Sequence, residues 1–262
     1  MRVDINTDMG EAFGRWSICD DEALLPYVSS ANVACGAHAG DPMVMDRIAS
    51  ACARLGVRIG AHPGFPDLQG FGRREMKMSP AEVEAFIMYQ IGALRVFAEH
   101  HGQALTHVKP HGALYNMAAG DLDMARAVAR GVARSSRKGE DLILVGLAGS
   151  LMIDAAKELG IPCASEGFCD RGYTKDGTLA KRGTPGALIT EPREVAERAV
   201  QMVTRGKVRA LDGSQLSMRV DTICIHSDTP GALEIAASVK RALEAAGVEI
   251  TGVREVIGIG RS

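Results

Sequence analysis

Short apolar runs along this chain keep ending in polar clusters, and between them lie stretches with a helical repeat of apolar positions. The clusters are DINTDMGE (residues 4–11), ANVACGAHAGD (31–41), RIGAHPGFPD (58–67), LTHVKPHGALYN (105–116), CASEGFCDR (163–171) and ICIHSD (223–228). The apolar runs predict strands near 2–7, 31–35, 57–61, 105–109, 141–146, 161–165 and 221–225. The amphipathic stretches predict helices near 20–28, 42–55, 80–101, 121–136, 149–159, 192–205 and 231–246. Ser79-Pro80 and Thr190-Glu191-Pro192 have the form of helix starts, a polar cap followed by Pro in the first turn. Strand and helix alternate throughout, which predicts a parallel sheet. Seven such units predict an irregular seven-stranded (β/α) barrel rather than the regular eight, with a doubly wound sheet as the second architecture. In a barrel the C-terminal ends of the strands meet on one face, so the clusters converge there.

The long interruption at 166–190, rich in Gly, Lys and Arg, reads as a loop or hairpin flap over the barrel mouth. No repeat or linker divides the chain, so residues 1–262 read as one barrel domain, with the tail after 246 adding a last strand or docking on the body.

Alternation within the strands gives the chemistry. Asp4, Asn6 and Asp8 share one face of the first strand, and His107, Lys109 and His111 share one face of the fourth. His62 and His226 end their strands in the same manner. Buried parallel strands are normally apolar on both faces, so a polar face points into the barrel. Its carboxylates and imidazoles must then be paired, bound to metal or open to a substrate. His38, His62 and His111, each beside Gly or Pro at a strand end, are the better site candidates. His107 reads as a core residue, His100 and His101 as helix-end residues, and Asp20, Asp21 and Glu22 as helix-start charges. Arg73 and Arg74 either contact an anion or lie on the surface. Asp8, His38, His62 and His111 together suit a divalent metal, although no HxxxH or HExxH spacing is present. There is no P-loop, and GLAGS (146–150) is too short for a dinucleotide fingerprint. Any phosphate would be held by Lys109, Arg171 or backbone amides.

Composition narrows the class. With 46% hydrophobic and 24% charged residues and a net charge of −2, the chain is ordinary globular protein without a nucleic-acid or anionic-membrane signature. It opens directly on the strand MRVDIN and has no membrane-length apolar run, so a cytoplasmic enzyme is expected. The six dispersed cysteines read as free, mostly core thiols, with Cys35, close to His38 in sequence, the candidate nucleophile among them.

These same segments, DINTDMGEAFGRW, PYVSSANVACGAHAGDP, IGAHPGFPDLQGFGRR, YQIGAL, HVKPHGALYN, SEGFCDRGYTKDGTLAKR and IHSDTPGA, resemble the LamB/YcsF family from about residue 2 to about residue 246. The resemblance implies the A subunit of the ATP-hydrolysing 5-oxoprolinase, working with subunits B and C to open 5-oxo-L-proline to L-glutamate. It also implies an irregular β/α barrel similar to the polysaccharide-deacetylase class. ATP is the implied cofactor, with Mg accompanying it or a transition metal in the site. Lactam opening needs carbonyl activation, a cation near the phosphoryl group and a base for water. For these tasks the chain offers Asp8, Glu11, His38, His62, Lys109 and His111 as catalytic candidates, and Asn6, Glu166, Arg171 and Tyr173 as substrate- or phosphate-binding candidates. Two other readings stand beside it: a self-sufficient metal-dependent amide hydrolase or deacylase, and a non-catalytic carboxylate-binding subunit.

Overall fold

A computed structural model of the chain describes residues 1–259. Its strands are β1 (Arg2–Met9), β2 (Ser30–Ala34), β3 (Arg58–His62), β4 (His107–Val108), β5 (Ile143–Leu147), β6 (Cys163–Phe168), β7 (Lys207–Arg209), β8 (Gln215–Ser217), β9 (Thr222–Cys224) and β10 (Glu249–Ile250). Each of β1 to β6 pairs in parallel with the next, β6 pairs with β9, and β9 returns to β1. The result is the closed, irregular seven-stranded parallel barrel that the alternation predicts. β10 adds to the first residues of β1, and β7 and β8 form a separate antiparallel hairpin.

The helices are α1 (Asp21–Leu24), α2 (Pro42–Leu55), α3 (Pro80–His100), α4 (Gly112–Gly120), α5 (Leu122–Ser135), α6 (Leu151–Glu158), α7 (Pro192–Arg205), α8 (Ala232–Ala245) and α9 (Val253–Val256). Their apolar faces (Ile48, Ile87, Leu94, Val128) join strand residues such as Val3, Ile5, Ile59 and Val108 in one core between barrel and helices. Helix starts are well marked. Asp41 accepts from the amides of Met43 and Val44, and Ser79 with Glu82 forms a capping box ahead of Pro80. Glu191 caps α7 immediately ahead of Pro192. Among the described residues no helix is long and apolar enough to cross a membrane.

Several boundaries depart from the sequence pattern. The helix expected over 20–28 stops at Leu24 and tightens into a 3₁₀ turn, Leu25–Tyr27, because Pro26 cannot donate the next helical bond. β4 keeps only two ladder residues before Pro110. α4 was hidden in the polar cluster HVKPHGALYN. The expected flap begins three residues late, since Glu166–Phe168 complete β6. The segment that follows is pinned by isolated antiparallel bridges, Arg171 to Leu188 and Tyr173 to Leu179.

Inside the barrel, polar side chains stack in tiers. Asp4 accepts from the hydroxyls of Ser29, Ser30 and Thr222. Above it, Asn6 donates to Glu166 and Thr222, and Asn32 donates to Asn6 and Asp8. His107 is satisfied between Thr106 and Asn32, and burial, then the charge of Lys109, pushes its pKa down to about 3. The core reading of His107 fits this neutral, fully bonded state. Burial pushes Asp4 up to about 6 despite its hydroxyl partners. The folded state therefore holds the Asp4 proton more tightly than the unfolded chain does. That contribution is fully present below the unfolded value of 3.8 and is lost as pH rises through about 6. Relative to Asp4→Asn, the parent chain should lose about 3 kcal/mol of stability between about pH 4 and about pH 7. Urea unfolding of both proteins across that range tests this, and a constant difference would refute it.

Candidate active site

The C-terminal ends of the strands open into a cavity of about 970 Å³ lined by Asp8, Glu11, His62, Lys109, His111, Arg171 and His226. Side chains from several strand ends thus meet on one face. Asp8 is the last residue but one of β1, His62 closes β3, and Lys109 and His111 follow β4. Glu11 and His38 sit on the loops after β1 and β2.

Lys109 holds the centre. Its ammonium lies 2.9 Å from Asp8 and 2.9 Å from Glu166 and is buried. Burial works against that charge, but Asp8 beside it holds the lysine pKa well above its ordinary value. For Asp8, burial would raise the pKa, and His62 and Lys109 together outweigh it and hold the carboxyl well below the usual range. Both groups therefore stay charged.

The histidines form a second centre. His62 Nδ1 faces the Lys109 carbonyl at 2.7 Å, and His111 Nε2 faces the Phe71 carbonyl at 2.8 Å. A carbonyl only accepts, so these contacts assign a proton to each of those nitrogens. The other nitrogens, His62 Nε2 and His111 Nδ1, then point at each other across 2.9 Å. Glu11 Oε1 is 3.2 Å from His111 Nδ1 and 3.5 Å from His38 Nε2. Among the described residues, neither His38 ring nitrogen, nor Glu11 Oε1, has a hydrogen-bond partner. Burial, then the charge of Asp8, pushes Glu11 up to about 7. Burial with the neighbouring imidazoles pushes His38 and His111 well below their ordinary value. Lone pairs this close repel unless a proton or a cation sits among them. The donor set Glu11, His38, His62 and His111 is therefore one that can hold a divalent metal. The sequence placed Asp8 in that set. The structure groups Glu11 with the three histidines, and Asp8 with Cys224 and His226. Glycine is required around the stack of His38 on His111, because a Cβ on Gly72 would lie 2.7 Å from His38 and 2.8 Å from His111.

Other candidates fall elsewhere. Asn6 and Glu166 lie in the barrel interior below the cavity. Tyr115 donates its hydroxyl to Glu166, so every side-chain oxygen of that carboxylate already has a partner. Tyr173 is fully buried and away from the cavity wall, its hydroxyl accepting from the Phe168 amide at 2.7 Å. It braces the start of the loop and has no access to a cavity ligand. Cys35 donates to the Val33 carbonyl, and burial pushes its thiol up to about 12, which disqualifies it as a nucleophile. Arg74 pairs with Asp67, whereas Arg73 reaches Asp228 at the cavity rim.

A model of the LamB/YcsF family matches residues 3–258, which takes in every strand-end residue of the cavity. The chain belongs to the LamB/YcsF family. It is 49% identical to the 5-oxoprolinase A subunit of Pyrococcus horikoshii over 98% of this chain and 100% of that one. Identity to the 5-oxoprolinase A subunit of Chloroflexus aggregans is 52% over 95% and 98% of the two chains. A lactam utilization protein from Thermus thermophilus superposes with a TM-score of 0.90 at 48% identity, covering 96% of this chain and 99% of that one.

This LamB/YcsF cavity also joins His226, expected only on a strand's polar face, to Asp170, which the sequence did not single out. His226 Nδ1 lies 2.9 Å from Asp170, which also accepts from the His226 amide and the Thr229 hydroxyl. Asp170 is fully buried. Burial opposes its charge, but His226 more than compensates and lowers its pKa. His226 stacks on Phe168 and lines the cavity, and among the described residues its Nε2 makes no hydrogen bond. The available signal was weak, a single Asp in a Gly-rich loop and a histidine ending the last barrel strand.

Proposed function

We propose that this chain is the A subunit of an ATP-hydrolysing 5-oxoprolinase, acting with subunits B and C in the cytoplasm. Its reaction is the opening of 5-oxo-L-proline to L-glutamate with conversion of ATP to ADP and phosphate. The observation that carries this reading is the end-to-end match to 5-oxoprolinase A subunits. On this reading residues 1–262 act as one barrel domain whose 169–190 segment covers the mouth.

An unstrained lactam resists water because its amide is resonance-stabilised. Transfer of a phosphoryl group from ATP to the amide oxygen, with loss of the N–H proton and departure of ADP, makes the ring carbon a better electrophile. Water then adds there, the ring C–N bond breaks, the nitrogen takes up protons, and the remaining acyl phosphate is hydrolysed. The chain supplies groups for the proton movements. The paired charges of Lys109 and Asp8 fix the field at the cavity floor. Glu11, near 7, is matched to accept a proton from water at neutral pH. His226, held by Asp170 in the tautomer that leaves Nε2 free to accept, can take a proton from the attacking water there and pass it to the leaving nitrogen.

One observation favours a second reading. Glu11, His38, His62 and His111 would hold a divalent ion, which when bound would polarise a carbonyl and acidify a water. A self-sufficient metal-dependent amide hydrolase is the function such an ion would support, with Asp8 and His226 left as the proton-handling groups.

The deciding assay is glutamate release from 5-oxoproline by the purified chain, with and without ATP and with and without subunits B and C. Release only from the full mixture with ATP is expected. No release with partners proven active beside a known A subunit would reject the substrate. ATP-independent release by the chain alone, abolished by a chelator and accompanied by about one bound metal per chain, would establish the second reading.

A further inference from the structure

The rim of the cavity carries more positive charge than the proton-handling groups require. Arg171 is buried and lines the cavity, yet among the described residues no carboxylate lies within ion-pairing distance of it. Its Nε donates to the Ala187 carbonyl at 3.0 Å and its Nη2 to the Ala180 carbonyl at 2.7 Å. These bonds staple the loop and leave the guanidinium without an ion-paired carboxylate, the adjacent Asp170 being bonded to His226 instead. The remaining amino group, Nη1, has no protein partner among the described residues. Arg73 and Arg182 reach the same part of the wall, and both converge on one carboxylate, Asp228, at 2.5 and 3.5 Å. Burial, then the charges of Arg182 and Arg73, pushes the Arg171 pKa below its ordinary value, as expected of cations gathered without enough anions. Three guanidiniums against one carboxylate leave two positive charges. The other lysines and carboxylates of the rim, two of each, cancel.

We infer that Arg73, Arg171 and Arg182 form an anion subsite for a phosphoryl dianion, carried into the cavity by a phosphorylated small substrate or by a nucleotide. Guanidinium forks match phosphate oxygens in geometry, and a surplus of two charges complements a dianion better than a single carboxylate. The subsite adjoins the inner centre, since Glu11 feels the charges of both Asp228 and Arg73. A cavity of about 970 Å³ also holds far more than a five-membered lactam acid. The inference rests on the lactam-opening reading only for the carrier of the phosphoryl group.

The test is calorimetric titration of the full chain, treated with chelator, with inorganic phosphate at matched chloride ionic strength. Phosphate should bind at one site, and Arg182→Gln and Arg73→Gln should each weaken it by about tenfold or more. Arg193→Gln, on an exposed helix face, should leave it unchanged. Thermal melts of each variant confirm that the fold is retained. Displacement of phosphate by ATP with the same variant sensitivity would identify a nucleotide as the carrier. Indifference to ATP would identify a phosphorylated small substrate. Absence of phosphate binding at millimolar concentration, or binding that neither rim variant weakens, would overturn the subsite. No turnover is needed, so failure of the 5-oxoprolinase assay and failure of this titration are separate results.

Discussion

Lys109→Met should lower the unfolding free energy by about 3–5 kcal/mol and take turnover to background. The ammonium is the counter-charge of two buried carboxylates, Asp8 and Glu166, each 2.9 Å away, and it also bonds Asn6 and Cys224. Methionine fills similar volume, so the effect is one of charge rather than a cavity. Without the lysine, Glu166 keeps only the neutral donors Tyr115 and Asn6, and Asp8 keeps only the Asn32 amide. Neutral donors do not repay the desolvation of a carboxylate at the centre of a barrel. The variant should relieve this by raising the carboxyl pKa values in the folded state above their unfolded ones. Its stability is then greatest at low pH and falls as pH rises through those raised values. The gap between parent and variant should therefore be wider at about pH 8 than at about pH 5 in urea unfolding. A loss below about 1 kcal/mol at both pH values would mean that the pair behaves like a surface ion pair.

The legible parts of this molecule are those in which local chemistry and tertiary packing agree. Asp4, Asn6 and Asp8 at period two could only line an interior, and the tiered network inside the barrel is built on them. α2 and α3 start where expected because Asp41-Pro42 and Ser79-Pro80 leave the backbone few alternatives. α4 and the β7–β8 hairpin escaped because each is short and carries its own polar or turn residues, so no periodicity stands out. Site residues were legible as strand-end positions but not as partners. His38, His62 and His111 come from three separate strand ends, and only closure of the barrel brings Glu11 among all three of them while Asp8 stays beside His62 alone. Tyr173 misled for the opposite reason. It is a polar residue in a functional-looking loop, and its hydroxyl caps a buried amide instead. Whether a polar group serves the fold or the cavity depends on which neighbour satisfies it, and sequence spacing does not carry that information.

In the assembled enzyme, His226→Gln should reduce kcat by about 10²–10⁴ while KM changes little. Glutamine can still donate a side-chain N–H to Asp170, so the wall of the cavity is preserved, but it cannot take up and release a proton near neutral pH. Added imidazole should therefore restore part of the rate in His226→Gln and none in the parent. Asp170→Asn probes the same function through a different atom. It keeps the size of the side chain and the chance to bond Thr229, but it removes the buried charge that holds His226 Nδ1–H in place. An amide at that position frees the imidazole to turn or to present the wrong tautomer, so the rate should again fall steeply, with a displaced pH profile. The double variant should be little worse than the more damaged single one, because residues acting as a unit are not additive. A purely structural role makes different predictions: lowered melting temperature, raised KM, no response to imidazole and losses that add. His226→Gln retaining a parent-like kcat, in a mixture where the parent chain is active, would remove His226 from the chemistry and leave proton delivery to the Glu11 side of the cavity.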